Sequence, residues 1–322
     1  MKVLEQATAE KTLVQDKNWL IECGSGRVRR RLLFTGFFAG LLLASGCGND
    51  QPIAPERYLQ SDSLFEQVKS NVAANSAWRG IGEIDHSRLG QQAGSVMPPS
   101  RVLIFSVPSL EVGLIEQNPL TALDLPLRVL AYEETPDGVS KVIYNDYAYI
   151  QSRYNLPEQS KLGAVYEQSI AEALQGIPED QIGSFHPSDL EEGGITTINS
   201  PFDFAETLQR INDAIASQDD TVDFGVVDFQ EQAEEQGIEL LPNTLILFGA
   251  PAPGAKAMTE APTLGLDAFC QKFLVWQDSS GNVKLSFNDL LALAERQGVG
   301  ASIPLRVISY RLNKVFSEAL AK

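Results

Sequence analysis

One stretch of this chain repeats another. Shifted by 143 residues, segment 81–156 aligns without a gap with segment 224–299. The matches fall on residues that punctuate folds: Gly82 with Gly225, Asp85 with Asp228, Gly94 with Gly237, Pro99 with Pro242, Pro108 with Pro251 and Pro119 with Pro262. Further on, Leu123-Asp124 pairs with Leu266-Asp267, Asn145-Asp146 with Asn288-Asp289 and Arg153 with Arg296. Fourteen identities in 76 positions would mean little if scattered, but unbroken register and shared punctuation point to two copies of one fold. A chain of 322 residues has room for two such units, at roughly 100–200 residues per domain.

Hydrophobic periodicity predicts the same elements in both copies. Leu64, Val68 and Val72 fall at helical spacing, as do Phe204, Leu208, Ile211 and Ile215. Segments 81–85 and 224–228 read as strands, each ending in an Asp that can cap a short helix closed by Gly94 or Gly237. Runs 102–105 and 245–248 suit buried strands; 125–132 and 269–276 are further strands, turning through Gly138 or Gly281 into 139–144 or 283–287. Helices then start at Asp146 and Asp289, and 165–174 and 307–320 close the copies. A short β-favouring stretch precedes each first helix, at 57–60 and 195–199. The expected class is α+β: two tandem repeats, each an antiparallel sheet covered by helices on one face. The boundaries are 1–46 for a signal region, 47–58 for a tether, 59–175 and 195–322 for the repeats, and 176–194 for a linker rich in acidic residues.

Location is read from the N-terminal region. A basic cluster at 27–31 precedes a fifteen-residue uncharged run, 32–46. That is short for a bilayer core, which takes about twenty helical residues, and it fits an export signal. The run ends Leu43-Ala44-Ser45-Gly46-Cys47, which resembles the lipobox of bacterial lipoproteins, although Ala44 stands where Leu is usual. The resemblance implies a diacylglycerol on Cys47, with a plain signal or a short anchor helix as alternatives. Arg29-Arg30-Arg31 also loosely resembles a twin-Arg signal. Gly48 after the Cys resembles the outer-membrane sorting pattern, so the expected place is the bacterial cell envelope, lipid-anchored, on the outer membrane facing the periplasm. The mixed charge of residues 1–26 suggests that translation begins near Val28. Removing 1–46 takes away seven Lys/Arg and four Asp/Glu, which moves the charge from −17 to −20. Such an acidic chain repels phosphate backbones, so nucleic acid is not an expected partner. Three Cys and two His offer neither a disulfide framework nor a zinc ligand set, and no metal or cofactor is expected.

Several motifs resemble a known family. Ile84-Asp85-His86, Met97-Pro98-Pro99, residues 102–105 and Ala122-Leu123-Asp124-Leu125-Pro126-Leu127-Arg128 resemble the domain of unknown function 302 family. In the second copy, Phe248-Gly249-Ala250-Pro251-Ala252-Pro253-Gly254 is similar to that family's Phe-Gly-x-Pro-x-x-Gly loop. The resemblance implies a compact α+β unit with a TATA-box-binding-protein-like topology and a tendency to pair, which here would give an internal pseudo-dimer. It implies no activity. The first copy keeps Asp124 to Arg128 but lacks the glycine loop; the second keeps the loop but reads Asp267-Ala268-Phe269-Cys270-Gln271.

The candidate catalytic residues are Asp85, His86 and Asp124. A carboxylate beside an imidazole suits general acid–base work, but Asp85 also stands where a helix cap is needed, and the second copy has Phe229 in place of His86. Ligand-binding candidates are Asp124, Arg128, Gly249, Gly254 and Asp267. Either Asp can instead bind backbone N–H groups in a turn, and residues 249–254 can hold an anion or simply shape a loop. Asp219, Asp220 and Asp223 lack the calcium-loop spacing. The expectation is an envelope-anchored module that binds a small molecule or an envelope protein, with an enzyme or sensor using a cleft around Asp85, His86 and Asp124 as the alternative. A scaffold holding a partner on an exposed apolar patch is a third.

Overall fold

A computed structural model describes residues 54–321 apart from 136–137, 159–160 and 188–193. Cys47 and the signal region lie outside the described residues.

The first repeat runs α1 (Leu59–Ala74), β1 (Arg79–Asp85), α2 (His86–Gln92), β2 (Ser100–Ser106), α3 (Pro108–Gln117), β3 (Leu127–Tyr132), β4 (Lys141–Asn145), α4 (Tyr147–Tyr154), α5 (Lys161–Ala173) and β5 (Ile182–Phe185). The second runs β6 (Ile195–Asn199), α6 (Phe204–Ala216), β7 (Val222–Asp228), α7 (Phe229–Glu234), β8 (Asn243–Gly249), α8 (Pro251–Met258), β9 (Gln271–Gln277), β10 (Val283–Asn288), α9 (Leu290–Arg296) and α10 (Ile303–Ala319). Each repeat carries a five-stranded sheet, in the orders β1-β2-β3-β4-β5 and β6-β10-β9-β8-β7.

The caps expected at Asp85, Asp228, Asp146 and Asp289 form. Asp85 accepts from the Arg88 amide and Asp228 from the Glu231 amide, while Asp146 and Asp289 cap α4 and α9. Gly94 and Gly237 close the short helices at φ of 79° and 71°, a conformation costly for residues with a Cβ.

Three expectations need correction. Residues 57–60 are not a strand: Pro55 starts a 3-10 turn, Pro55–Tyr58, that leads straight into α1, because proline at a first helical position presets the helical φ. The fifth place in the first sheet is taken instead by β5, from the stretch read as a linker, and β5 pairs with β4 in parallel. The remaining pairs of that sheet are antiparallel, as is the whole second sheet.

The third correction concerns the repeat register. Phe105 pairs with Leu127, whereas Phe248, its counterpart, pairs with Gln271. The second copy therefore carries one more residue between Asp267 and β9 than the first does between Asp124 and β3. The β9–β10 connection restores the count, since Tyr132 pairs with Lys141 and Trp276 with Lys284. The counterpart of Arg128 is thus Lys272, not Gln271.

The core follows the period of two expected of strands. In the second sheet Ile246, Phe248, Phe273 and Val275 pack in a cluster with Phe316 of α10, while Leu245, Leu247, Leu274 and Trp276 join the core of the first repeat. One face is covered by the repeat's own helices and the other by the opposite repeat, so β8 and β9 are apolar in nearly unbroken runs.

Candidate functional site

The seam between the repeats obeys an approximate two-fold. Helix α2 packs on α8, and their counterparts α7 and α3 pack on each other. Ser100 Oγ donates to the Pro262 carbonyl at 2.9 Å, and Asn243, at the matching place, donates to the Pro119 carbonyl at 3.3 Å. Contacts of this reciprocal kind define an isologous interface, here made within one chain.

Charged groups lie buried in this seam. Asp124 accepts from Arg128 at 2.8 Å, from Arg153 at 2.7 Å and from the Tyr154 hydroxyl at 2.8 Å. Burial alone would raise its pKa, but the guanidiniums of Arg153 and Arg128 and the Tyr154 hydroxyl hold it well below the usual carboxylate range. Asp267 pairs in the same way with Arg296 and accepts from Gln297 at 3.1 Å. Neither Asp serves the backbone of a turn, as one reading of the sequence had it; both are spent on buried arginines.

Lys272 lies opposite this cluster, buried, with its Nζ donating to the Asp267 carbonyl at 2.5 Å and the Cys270 carbonyl at 3.4 Å. Burial and the nearby Arg128 pull its pKa down to about 7. Arg128 uses Nη2 on Asp124 and Leu123, but its buried Nη1 has no hydrogen-bond partner.

Asp85 and His86 do not form a pair. Asp85 is engaged by Ser87 Oγ at 2.8 Å, the Arg88 amide at 2.8 Å and the Arg88 guanidinium at 2.5 Å. The His86 imidazole turns into the seam, where Nε2 donates to the Gly265 carbonyl at 3.1 Å. Burial lowers its pKa to about 4, so it is neutral near pH 7. Among the described residues, neither Asp85 nor Asp124 lines any of the cavities around segment 267–272 described below.

The glycine loop is a strand-to-helix junction. Gly249 ends β8, α8 begins at Pro251, and the Gly254 amide already donates to the Ala250 carbonyl at 2.9 Å. That bond removes one of the N–H groups an anion would need. Glycine at 249 serves close packing, since a Cβ there would sit 2.8 Å from the Phe224 ring.

Four cavities converge on segment 267–272. A groove under α10 is bordered by Phe269 and Gln271. A second places His86 beside Gly249, Gly254 and Cys270. A third, much smaller, lies between Arg128 and Lys272. A fourth is bordered by Asp267, Gln271 and Lys272. Of the sequence candidates, His86, Gly249, Gly254, Arg128 and Asp267 thus reach cavities around one segment. Lys272 was hidden by the one-residue slip in register; Arg153 and Arg296 carried a signal, as identities between the copies. Among the described residues no group of three or more His, Cys, Asp or Glu could hold a metal, and no helix is long and apolar enough to cross a membrane.

The chain is 38% identical over 111 residues to Fluoride-specific ion channel FluC 1 of Brucella suis biovar 1 (strain 1330), covering 34% of this chain and 43% of that protein. It matches FluC 1 of Brucella abortus biovar 1 (strain 9-941) equally well, over 40% of that protein. The chain thus spans less than half the length of these curated relatives. A crystal structure of an uncharacterized conserved protein DUF302 from Bacillus stearothermophilus aligns at 19% identity and a TM-score of 0.33, covering 39% of this chain and 95% of the other. The profile of the family described as "Domain of unknown function DUF302" matches residues 57–177 and 196–319. With both halves of a reciprocal seam falling inside those two matches, the chain belongs to the DUF302 family and carries the domain twice.

Proposed function

We propose that this chain is a ligand-binding module of the bacterial cell envelope, held there by a lipid on Cys47, with its ligand site around segment 267–272. The convergence of four cavities on those six residues carries the reading. Binding sites are concave, mostly apolar and furnished with a few convergent polar groups, and here Phe269 and Cys270 supply the walls while Gln271, Lys272 and Arg128 supply the polar groups. A covalent tandem frees one copy to specialise: the extra residue lies in this segment, and the counterparts of His86 and Gly254 in the other copy are the buried Phe229 and Glu111. Binding is favoured over catalysis because Asp85 and Asp124 are already committed to arginines. The names of the channel relatives, matched over 34% of this chain, add small anions to the ligands to test.

Native mass spectrometry of the full chain, released gently from membranes, tests the site. About one small ligand per chain is expected, and Cys270→Leu, which fills two of the cavities, is expected to lose it while keeping the melting temperature within a few degrees. A ligand-free wild-type chain would overturn the reading. For the anchor, the N-terminal peptide is expected to begin at an acylated Cys47, and Cys47→Ser to release the chain from membranes; an unmodified Cys47 in the intact chain would reject the anchor.

A further inference from the structure

We propose that the cavity between Arg128 and Lys272 holds one small monovalent anion of halide size. This rests on the reading of segment 267–272 as the ligand site and names the chemistry of its inner end. Arg128 is 7% exposed, and its buried Nη1 lacks any acceptor. A buried donor left unpaired is costly, more so when charged. Lys272, 3% exposed, meets only two backbone carbonyls.

Around the seam, Asp124 and Asp267 face three guanidiniums, Arg128, Arg153 and Arg296, and the Lys272 amine. Cations outnumber carboxylates in a place with little water, whereas the chain as a whole carries −17. An anion there would be held in a low-dielectric surround, where attraction to fixed charges is far stronger than in water.

The remaining walls are apolar, among them Val102, Ile104, Leu247, Leu266 and Phe269, and the free space takes about one water-sized body. A phosphate ester or dicarboxylate is too large for that space; a monatomic anion close to water in size matches it.

Thermal unfolding of the full chain in sodium fluoride or chloride is compared with sodium gluconate, an anion too large for the cavity, at equal ionic strength. A midpoint several degrees higher in the halide is expected. Lys272→Met and Arg128→Met should each abolish that difference, and Lys272→Met should melt in gluconate no lower than wild type, because it removes a buried amine. ¹⁹F NMR gives a second reading: the fluoride line should broaden with wild-type protein and sharpen with excess chloride or with either variant. Equal midpoints in all salts with an unbroadened line would overturn the anion site, as would halide effects that persist in both variants. If instead a different small molecule co-purifies and is lost in Cys270→Leu, the anion fails and the ligand-binding reading stands.

Discussion

Arg153 of the first repeat donates to the Asn288 side-chain oxygen of the second at 2.8 Å, and the relation is returned: Arg296 donates to Asn145 at 3.1 Å. Each arginine holds its own repeat's aspartate with the other end of the guanidinium. The buried ion pair of each half is thus tied to the other half, and neither repeat completes its polar core alone. Asn288→Ala and Asn145→Ala should cost similar amounts, about 1.5–3 kcal/mol each, as expected for a hydrogen bond to a charged group. In a domain pair of this size that lowers the melting midpoint by roughly 3–10 °C. A costly Asn288→Ala beside a neutral Asn145→Ala would break the two-fold equivalence.

Asp124 links acid stability to the seam. Its carboxyl is depressed in the folded chain, so its contribution is complete above the unfolded pKa of about 4 and is lost as pH falls toward the folded value. Asp124→Asn leaves Arg128 and Arg153 buried without their counter-ion and should cost about 3–5 kcal/mol at pH 7. Below pH 4 the gap between wild type and variant should shrink, as urea unfolding at pH 7 and pH 3 would record. A constant gap would mean that the carboxylate's charge is not what matters.

Glu111 behaves oppositely. It is fully buried, accepting from Ser106 Oγ at 2.7 Å and the Val107 amide at 3.0 Å, and burial pushes its pKa up to about 7. A folded value above the unfolded one gives stability that is whole below about pH 4.5 and declines as pH rises through 7. Glu111→Gln can keep both contacts without the charge. It should be near neutral at pH 5 and stabilising by about 1–3 kcal/mol at pH 9. Equal stability at both pH values would argue that Glu111 ionises freely.

His86 is buried against Gly265 with its pKa lowered to about 4, while His186, the other histidine, is exposed and paired with Asp146. The His86 ring resonances should therefore hold their neutral positions down to about pH 5. Since the unfolded imidazole takes up its proton near pH 6.5, His86 contributes stability above that pH which is lost as pH falls toward 4. A ring that titrates near 6.5 in the folded chain would place His86 in water rather than in the seam.

How far the sequence discloses this arrangement depends on the scale of the signal. Local devices were legible: Asp85, Asp228, Asp146 and Asp289 read as caps because a capping oxygen and a helix start are neighbours in the chain. The apolar runs of β2 and β8 were legible as buried strands, but not what buries their second faces. β5 was missed because a four-residue edge strand has too little periodicity to stand out from a linker. Lys272 was missed because an ungapped alignment cannot show a one-residue insertion that the next turn compensates; strand pairing does. Asp124 and Asp267 were found as candidates, yet their partners Arg153 and Arg296 lie 29 residues away, where only the fold brings them together.

Gly90 tests whether the seam is closely fitted. It lies in α2 where that helix crosses α8, and a Cβ added there would sit 2.4 Å from the Cβ of Ala255 and 3.3 Å from the Ser95 carbonyl. Helix propensity favours alanine over glycine by about 1 kcal/mol, so in an open helix Gly90→Ala would stabilise. At this crossing the overlap wins: the helices must part or the backbone shift, at a cost of about 1–3 kcal/mol. Ala255→Gly removes the obstructing methyl and should restore most of that loss when combined with Gly90→Ala, giving a coupling well above the additive expectation for distant sites. A stabilising Gly90→Ala, or a double variant no better than the sum of the two single changes, would show that α2 and α8 are not in contact at this point.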